Sequence, residues 1–369
     1  KYKSAVETFS SEKMSEENKL QIKSLLATMK NEFFGNISKS RNISIEKLNN
    51  IADSLLVTTC YDALKYGLVD RVAYKDEVML SINRRLKQSD KADINFITLS
   101  KYSKIIDEES VDRNNRIAVI FAEGEIYSNN TNEVAISPDK IAKAFAKARE
   151  NDKIKAVVFR ITSPGGSVIG SETIWREVVL TNKIKPVIVS MGDYAASGGY
   201  YIACPATSII SNRSSITGSI GVYGIMPNMK KLLNDKLGIT TDNVKTNNYA
   251  DMGMPFREMM QREKEVLQLY VDNTYKSFIN KVANGRKLDI NYVDSIAQGR
   301  VWSGEDALKA GLVDEIGGLN YAISKAAEIV KLKDYKIIML PKQENVIEFI
   351  QKIIEEDNAK VILSKLPVQ

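Results

Sequence analysis

Apolar residues recur along this chain with two different periods. Leu20, Leu25, Leu26 and Met29 fall at helical spacing, and Phe33 and Phe34 continue the same face. A second helix is predicted near Ile45 to Ser54, and a charged, mixed stretch from Lys75 to Arg116 reads as a connector. Beyond Arg116, short apolar runs alternate with helical stretches: Ile117 to Phe121 is strand-like, Pro138 to Glu150 helical, Ala156 to Ile161 strand-like and Ser171 to Thr181 helical. Pro186 to Ser190 and Ser208 to Ser211 read as further strands. Such a switch of period predicts βαβ units and an α/β protein. The tail adds a strand at Tyr335 to Leu340 and a helix at Asn345 to Glu356, where Val346, Phe349, Ile350, Ile353 and Ile354 keep helical spacing.

Three of the predicted strands end in glycine-rich turns: Thr162-Ser-Pro-Gly-Gly-Ser167, Met191-Gly-Asp-Tyr-Ala-Ala-Ser-Gly-Gly-Tyr-Tyr201 and Ile216-Thr-Gly-Ser-Ile-Gly221. Paired glycines let a backbone approach a substrate, and a helix starting after Ser197 would aim free N–H groups at developing negative charge. Ser197 is the candidate nucleophile. The plainer alternative is a tight strand-to-helix turn packed with small residues.

Composition narrows the chemistry. The 369 residues include no histidine, which removes a histidine base, a histidine-bound metal and the Ser-His-Asp triad together. Ala195 also stands where a Gly-x-Ser-x-Gly elbow has its first glycine. Lysine is the remaining natural base, provided that burial or like charge lowers its pKa by about two to three units, a cost of roughly 3 to 4 kcal/mol. The 52 Lys and Arg against 46 Asp and Glu leave a modest, spread positive charge with no basic run interleaved with aromatics, so no nucleic-acid partner is expected. Two cysteines, Cys60 and Cys204, make neither a metal cluster nor a disulfide framework, and no cofactor is implied. No apolar run approaches the roughly 20 residues of a membrane span. The chain opens on Lys rather than Met, so an upstream segment is expected to have been removed.

An internal repeat organises the rest. Asp62-Ala-Leu-Lys-Tyr-Gly-Leu-Val-Asp70 recurs as Asp306-Ala-Leu-Lys-Ala-Gly-Leu-Val-Asp314, identical at all positions but one. Working back, Phe34 matches Phe278, Arg41 matches Arg286, and Tyr2-Lys3-Ser4 lines up with Tyr249-Ala250-Asp251 after a small insertion. The domain reading is therefore 1–75 as the later half of a first repeat, 76–115 as a connector, 116–331 as a complete second repeat and 332–369 as an extension.

Four segments, Tyr2-Lys-Ser-Ala-Val-Glu7, Ser163-Pro-Gly-Gly-Ser167, Gly192 to Tyr200 and Thr217-Gly-Ser-Ile-Gly221, resemble in this order signal peptide peptidase A, or protease IV, of the Clp protease and crotonase-like superfamily. The two-repeat type is the better match. The resemblance implies a crotonase/Clp-protease-like ββα-repeat superhelix and a serine endopeptidase with a Ser-Lys dyad. Ser197 would be the nucleophile, Lys3 its base and Ser219 the hydroxyl that orients the lysine. Gly198 with the Gly165-Gly166 turn, Gly166 preferred, would form the oxyanion hole. Single-repeat relatives keep a lysine where this second repeat has Ala250, which fits a lysine supplied by the first repeat. Lys65 and Lys309, inside the duplicated segment, read as solvated helix lysines. Asp193 and Tyr194 flank the nucleophile without a required role, and Val168 and Ile169 are expected pocket walls.

The resemblance further implies cleaved signal peptides and similar extended apolar peptides as substrates. It implies a homotetramer, an anchor upstream of Lys1, and a place at the bacterial inner membrane facing the periplasm or exterior. Two other readings of the same residues are a crotonase-like acyl-CoA enzyme, which needs no nucleophile, and an inactive oligomeric scaffold.

Overall fold

Eight strands form one sheet: β1 (Arg116–Glu123), β2 (Ile154–Ser163), β3 (Val187–Ala196), β4 (Ser208–Ser211), β5 (Ile216–Gly218), β6 (Val301–Ser303), β7 (Glu315–Ile316) and β8 (Lys336–Leu340). They are seen in a computed structural model that describes residues 1–102, 114–127 and 135–341. The strand order is β6-β5-β3-β2-β1-β8, with β4 paired to β3 and β7 to β4. All pairings are parallel except the antiparallel β5–β6 pair, so the sheet is mixed and the fold α/β.

Both faces of the sheet are covered, as buried parallel strands require. Ala118, Ile120 and Ala122 of β1 join Val157, Phe159 and Ile161 of β2 in one core, closed by Ile141 and Phe145 of the helix Pro138–Glu150 and by Ile174 and Val178 of the helix Val168–Asn182. The alternate positions Ile117, Val119, Ala156 and Val158 meet Ala322, Ile323, Ala326 and Ala327 of the helix Leu319–Ile329 on the other face. At about 1.5–3 kcal/mol for each fully buried large aliphatic side chain, these two layers hold the sheet rigid behind the glycine-rich turns.

β3 runs further than its apolar core predicts. Ile188, Val189 and Ser190 pair with β4, and Tyr194, Ala195 and Ala196 then find a second partner in β5. The ladder of a new neighbour, not apolar content, carries the strand through Gly192 and Asp193 to Ala196. Ser163 of β2 sits opposite Ala195, and Ala196 opposite Gly218, so all three glycine-rich ends emerge side by side.

By contact the chain divides into two compact units, one of Lys1–Ser24 and Asp112–Gln369, the other of Leu25–Val111. The second is helical, with Ile45–Asp53, Cys60–Lys65 and Lys75–Arg85 and a small core of Leu25, Ile43, Leu48 and Ile51. The helices Glu16–Arg41 and Gln261–Arg286 are each 26 residues long. Each is followed by a residue in left-handed conformation, Asn42 and Lys287. Arg41 pairs with Asp70 at 2.6 Å, and Arg286 pairs with Asp314. Cys60–Lys65 and Gly304–Lys309 are both capped by a hydroxyl, from Thr59 and Ser303. The continuous helices correct one sequence pairing: with Arg41 on Arg286, Phe33 and not Phe34 stands at the position of Phe278. The predicted helix at Asn345 to Glu356 lies outside the described residues.

Candidate active site

Ser197 sits between the end of β3 and the helix Gly198–Ala203, with φ 55° and ψ −118°. That left-handed φ disfavours a side chain by about 1–3 kcal/mol and persists only where the surroundings hold it. Here Ser197 N–H donates to Gly218 O at 2.9 Å, and Tyr201 N–H donates back to Ser197 O at 2.9 Å. Gly165, at φ 104°, lies so close that a Cβ there would stand 2.9 Å from Ser197 Cβ and 2.5 Å from Gly198 N.

Lys3 arrives from the start of the chain. Its Nζ donates to Ser197 Oγ at 3.0 Å, to Ser219 Oγ at 2.9 Å and to Ser219 O at 3.1 Å. Burial pushes its pKa down to about 8, because the desolvated ammonium is disfavoured. Ser219 is buried, has φ 49°, and is held by its own N–H on Arg300 O at 2.7 Å. Lys3 is seated on the loop before β6: Tyr2 N–H donates to Gln298 O at 2.8 Å, and a Cβ on Gly299 would lie 2.5 Å from Lys3 Cβ. Lys3, Ser197 and Ser219 therefore meet within one chain and one compact unit.

The two glycines of the Gly165-Gly166 turn differ. Gly165 N–H is engaged by Ser163 Oγ at 3.2 Å. The Gly166 strand segment bonds through its neighbours, Ile126 N–H to Gly165 O and Ser167 N–H to Ile126 O. A Cβ on Gly198 would stand 3.2 Å from Gly166 N, so the backbones of Gly166 and Gly198 run close together beside Ser197.

A cavity of about 90 Å³ opens at Ser197, walled by Val168, Tyr201, Val222 and Phe278. Tyr201 and Phe278 pack with ring centroids 4.8 Å apart. The Tyr201 hydroxyl donates to Glu172, which Lys281 Nζ also reaches at 2.9 Å. Of the two expected walls, Val168 lines the cavity, whereas Ile169 is 72% exposed. Asp193 and Tyr194 are exposed beside the strand end. Lys309 is exposed and bonded to Asp306 at 3.1 Å, and Lys65 is exposed at the end of its helix. Nothing local in the sequence marks Tyr201, Val222 or Phe278 as cavity walls or Gln298 and Gly299 as a seat for Lys3, since these roles arise only where the segments pack together.

A family model described as Peptidase family S49 matches residues 1–89 and 180–333. The chain belongs to peptidase family S49. Relatives include "Protease 4" of Salmonella typhi, 35% identical over 95% of this chain and 57% of that protein. "Serine protease SPPA, chloroplastic" of Arabidopsis thaliana is 32% identical over 89% of this chain and 49% of that protein. A putative protease of Methanocaldococcus jannaschii is 38% identical over 62% of this chain and 76% of that protein. The chain thus spans about half the length of the first two S49 relatives. Among solved structures, a ClpP1 mutant from Listeria monocytogenes aligns with a TM-score of 0.39 at 14% identity over 56% of this chain and 94% of that one, too low to fix a shared fold.

Proposed function

We propose that this chain is a serine endopeptidase working through a Ser197–Lys3 dyad. The observation that carries the reading is the 3.0 Å contact between Lys3 Nζ and Ser197 Oγ in a chain without histidine. Neutral Lys3 takes the Oγ proton as Ser197 attacks a peptide carbonyl, and the C–N bond breaks as that proton passes to the leaving amine. Water then enters and gives a proton to Lys3 as its oxygen attacks the acyl carbon, and Lys3 returns that proton to Ser197 Oγ as the ester C–O bond breaks, which releases the acid and restores the free serine. Ser219 holds the lysine amine by oxygen lone pairs, which direct it without adding a charge that would favour the ammonium. Gly166 and Gly198 N–H groups receive the oxyanion, each donor contributing roughly 3 to 4 kcal/mol to the transition state. Gly165, with its N–H on Ser163, shapes the turn.

The small apolar cavity at Ser197 supports an extended peptide with a small or apolar side chain at the cleaved bond, the class to which cleaved signal peptides belong. The same reading takes the chain as part of a two-repeat protein on a crotonase/Clp-protease-like superhelix, 1–75 being half of the first repeat and 116–331 the second. The matched helices, caps and Arg–Asp pairs of the two segments support that division. It also carries a homotetramer and a membrane anchor upstream of Lys1, at the bacterial inner membrane. Among the described residues no helix is long and apolar enough to cross a membrane.

The test is labelling by a serine-directed fluorophosphonate across pH 6 to 10, with Ser197→Ala and Lys3→Ala beside the wild type. The reading requires labelling lost in both variants and, in the wild type, rising with pH through about 8. Labelling that survives Lys3→Ala removes lysine as the base, and a wild type that never labels removes the peptidase.

A further inference from the structure

Lys3 precedes β1 by more than a hundred residues of chain, so its reach to Ser197 depends on whatever fixes its backbone to the sheet. Gln21 makes that connection. Its side chain, 1% exposed, accepts from Val301 N–H, the first residue of β6, at 3.1 Å. Its Nε2 donates to Tyr2 O at 3.2 Å, to Ser4 Oγ at 3.0 Å and to Asn18 Oδ1 at 3.1 Å. The orientation of the amide is forced, because Val301 N–H can only donate and Tyr2 O can only accept. One amide therefore ties the residues on both sides of Lys3 to the strand beside β5, whose end carries Ser219.

The second repeat supplies an independent comparison. Counted from the start of the matched 26-residue helices, Gln21 corresponds to Val266 and Asn18 to Glu263. In that repeat, where Ala250 stands in place of the lysine, Arg257 bridges Asp251 at 2.8 Å and Glu263 at 2.5 Å. Gln21 is thus matched by an apolar side chain, while two of its partners, Asn18 and Ser4, are matched by the carboxylates Glu263 and Asp251. Carboxylates beside Lys3 would favour its ammonium form, whereas an amide fastens the segment without doing so.

We infer that Gln21 is the positioning residue of the Ser197–Lys3 pair, an uncharged clamp that holds the lysine-bearing segment against the sheet. The inference rests on the dyad reading above. The ionisable side chains around the segment include Tyr223, whose ring centre is 5.8 Å from Lys3 Nζ, Arg300 at 5.4 Å from the Tyr2 ring, the Lys1–Glu17 pair at 3.7 Å, and Glu7, which accepts from Asn18 Nδ2 at 2.9 Å. Substitution of Gln21 leaves all of them in place.

The experiment follows fluorophosphonate acylation against pH, with a melting curve for each protein. Gln21→Met keeps the volume and loses every one of these hydrogen bonds, while Gln21→Glu keeps the acceptor for Val301 and loses the donor to Tyr2. Both are expected to acylate roughly 10- to 100-fold more slowly at pH 8, the effect of a small misplacement. Both also move the pH midpoint upward from about 8, toward the ordinary lysine value of about 10.4. Ser24→Ala removes a 2.9 Å bond from the same helix to Asp306 without touching Tyr2 or Ser4, and retains the wild-type profile. The clamp is overturned if both Gln21 variants keep the wild-type rate and midpoint with only a lower melting temperature, or if Ser24→Ala shifts the profile as far. Wild-type labelling indifferent to Lys3→Ala overturns the dyad, and the clamp with it.

Discussion

Lys3 is the residue on which burial acts most directly. Its ordinary pKa near 10.4 falls to about 8 in the folded chain, and desolvation is the cause. Between those two values the unfolded chain holds more protons than the folded one, so raising the pH through that window stabilises the fold. Relative to Lys3→Met, the wild type should gain up to roughly 3 kcal/mol of unfolding free energy from pH 8 to pH 10.4, and that gain should be absent below pH 8. Urea melts of the two proteins at several pH values check it. A difference that stays flat with pH would mean that Lys3 titrates normally. Ser197 and Ser219 share a related feature: both hold a positive φ, at 55° and 49°, in a region that their side chains disfavour.

At the scale of elements, the site is a meeting of strand ends. β3 carries Ser197 because it changes partner from β4 to β5, and β5 brings Gly218 and Ser219 alongside. The loop before β6 seats Lys3 against Gly299, whose φ of 82° and missing side chain make room for the lysine backbone. Gly299→Ala adds a methyl group where a Cβ meets three Lys3 backbone or Cβ atoms within 2.8 Å, so the segment must shift. The expected outcome is labelling of Ser197 slowed by about 10-fold or more, with far-ultraviolet circular dichroism unchanged. An unchanged rate would show that Lys3 reaches Ser197 without this seat.

For the whole molecule, the proposed two-repeat reading would account for a lysine and a serine carried by different segments. Both segments keep a 26-residue helix, an Arg–Asp pair and a capped short helix, yet the lysine occurs in one and the serine in the other. Their meeting within a single chain makes a prediction at this scale. Mixed Lys3→Ala and Ser197→Ala proteins, co-refolded and treated with the fluorophosphonate, should show no more labelling than either alone. Recovered labelling would mean that the pair assembles between chains.

Much of this was legible in the residues. The alternation of apolar runs predicted βαβ order, because burial on both faces of a parallel sheet demands continuous apolar strands. The three glycine-rich ends pointed to Ser197 and the turns around it, and the missing histidine to a lysine base, since those features are local, whereas Lys3 and Ser219 follow only from the family resemblance. The near-identical nonapeptides exposed the duplication for the same reason. Tertiary structure alone decided what depends on distant partners: that β3 extends to Ala196, that Gly165 N–H is taken up by Ser163 Oγ, and that Phe33 rather than Phe34 keeps the register of Phe278. It also decided that Lys3, almost two hundred residues from Ser197 in sequence, lies at hydrogen-bond distance. A hydrophobic pattern records which face is buried, whereas a site built from separate strand ends, a loop and one clamped segment is recorded only in their packing.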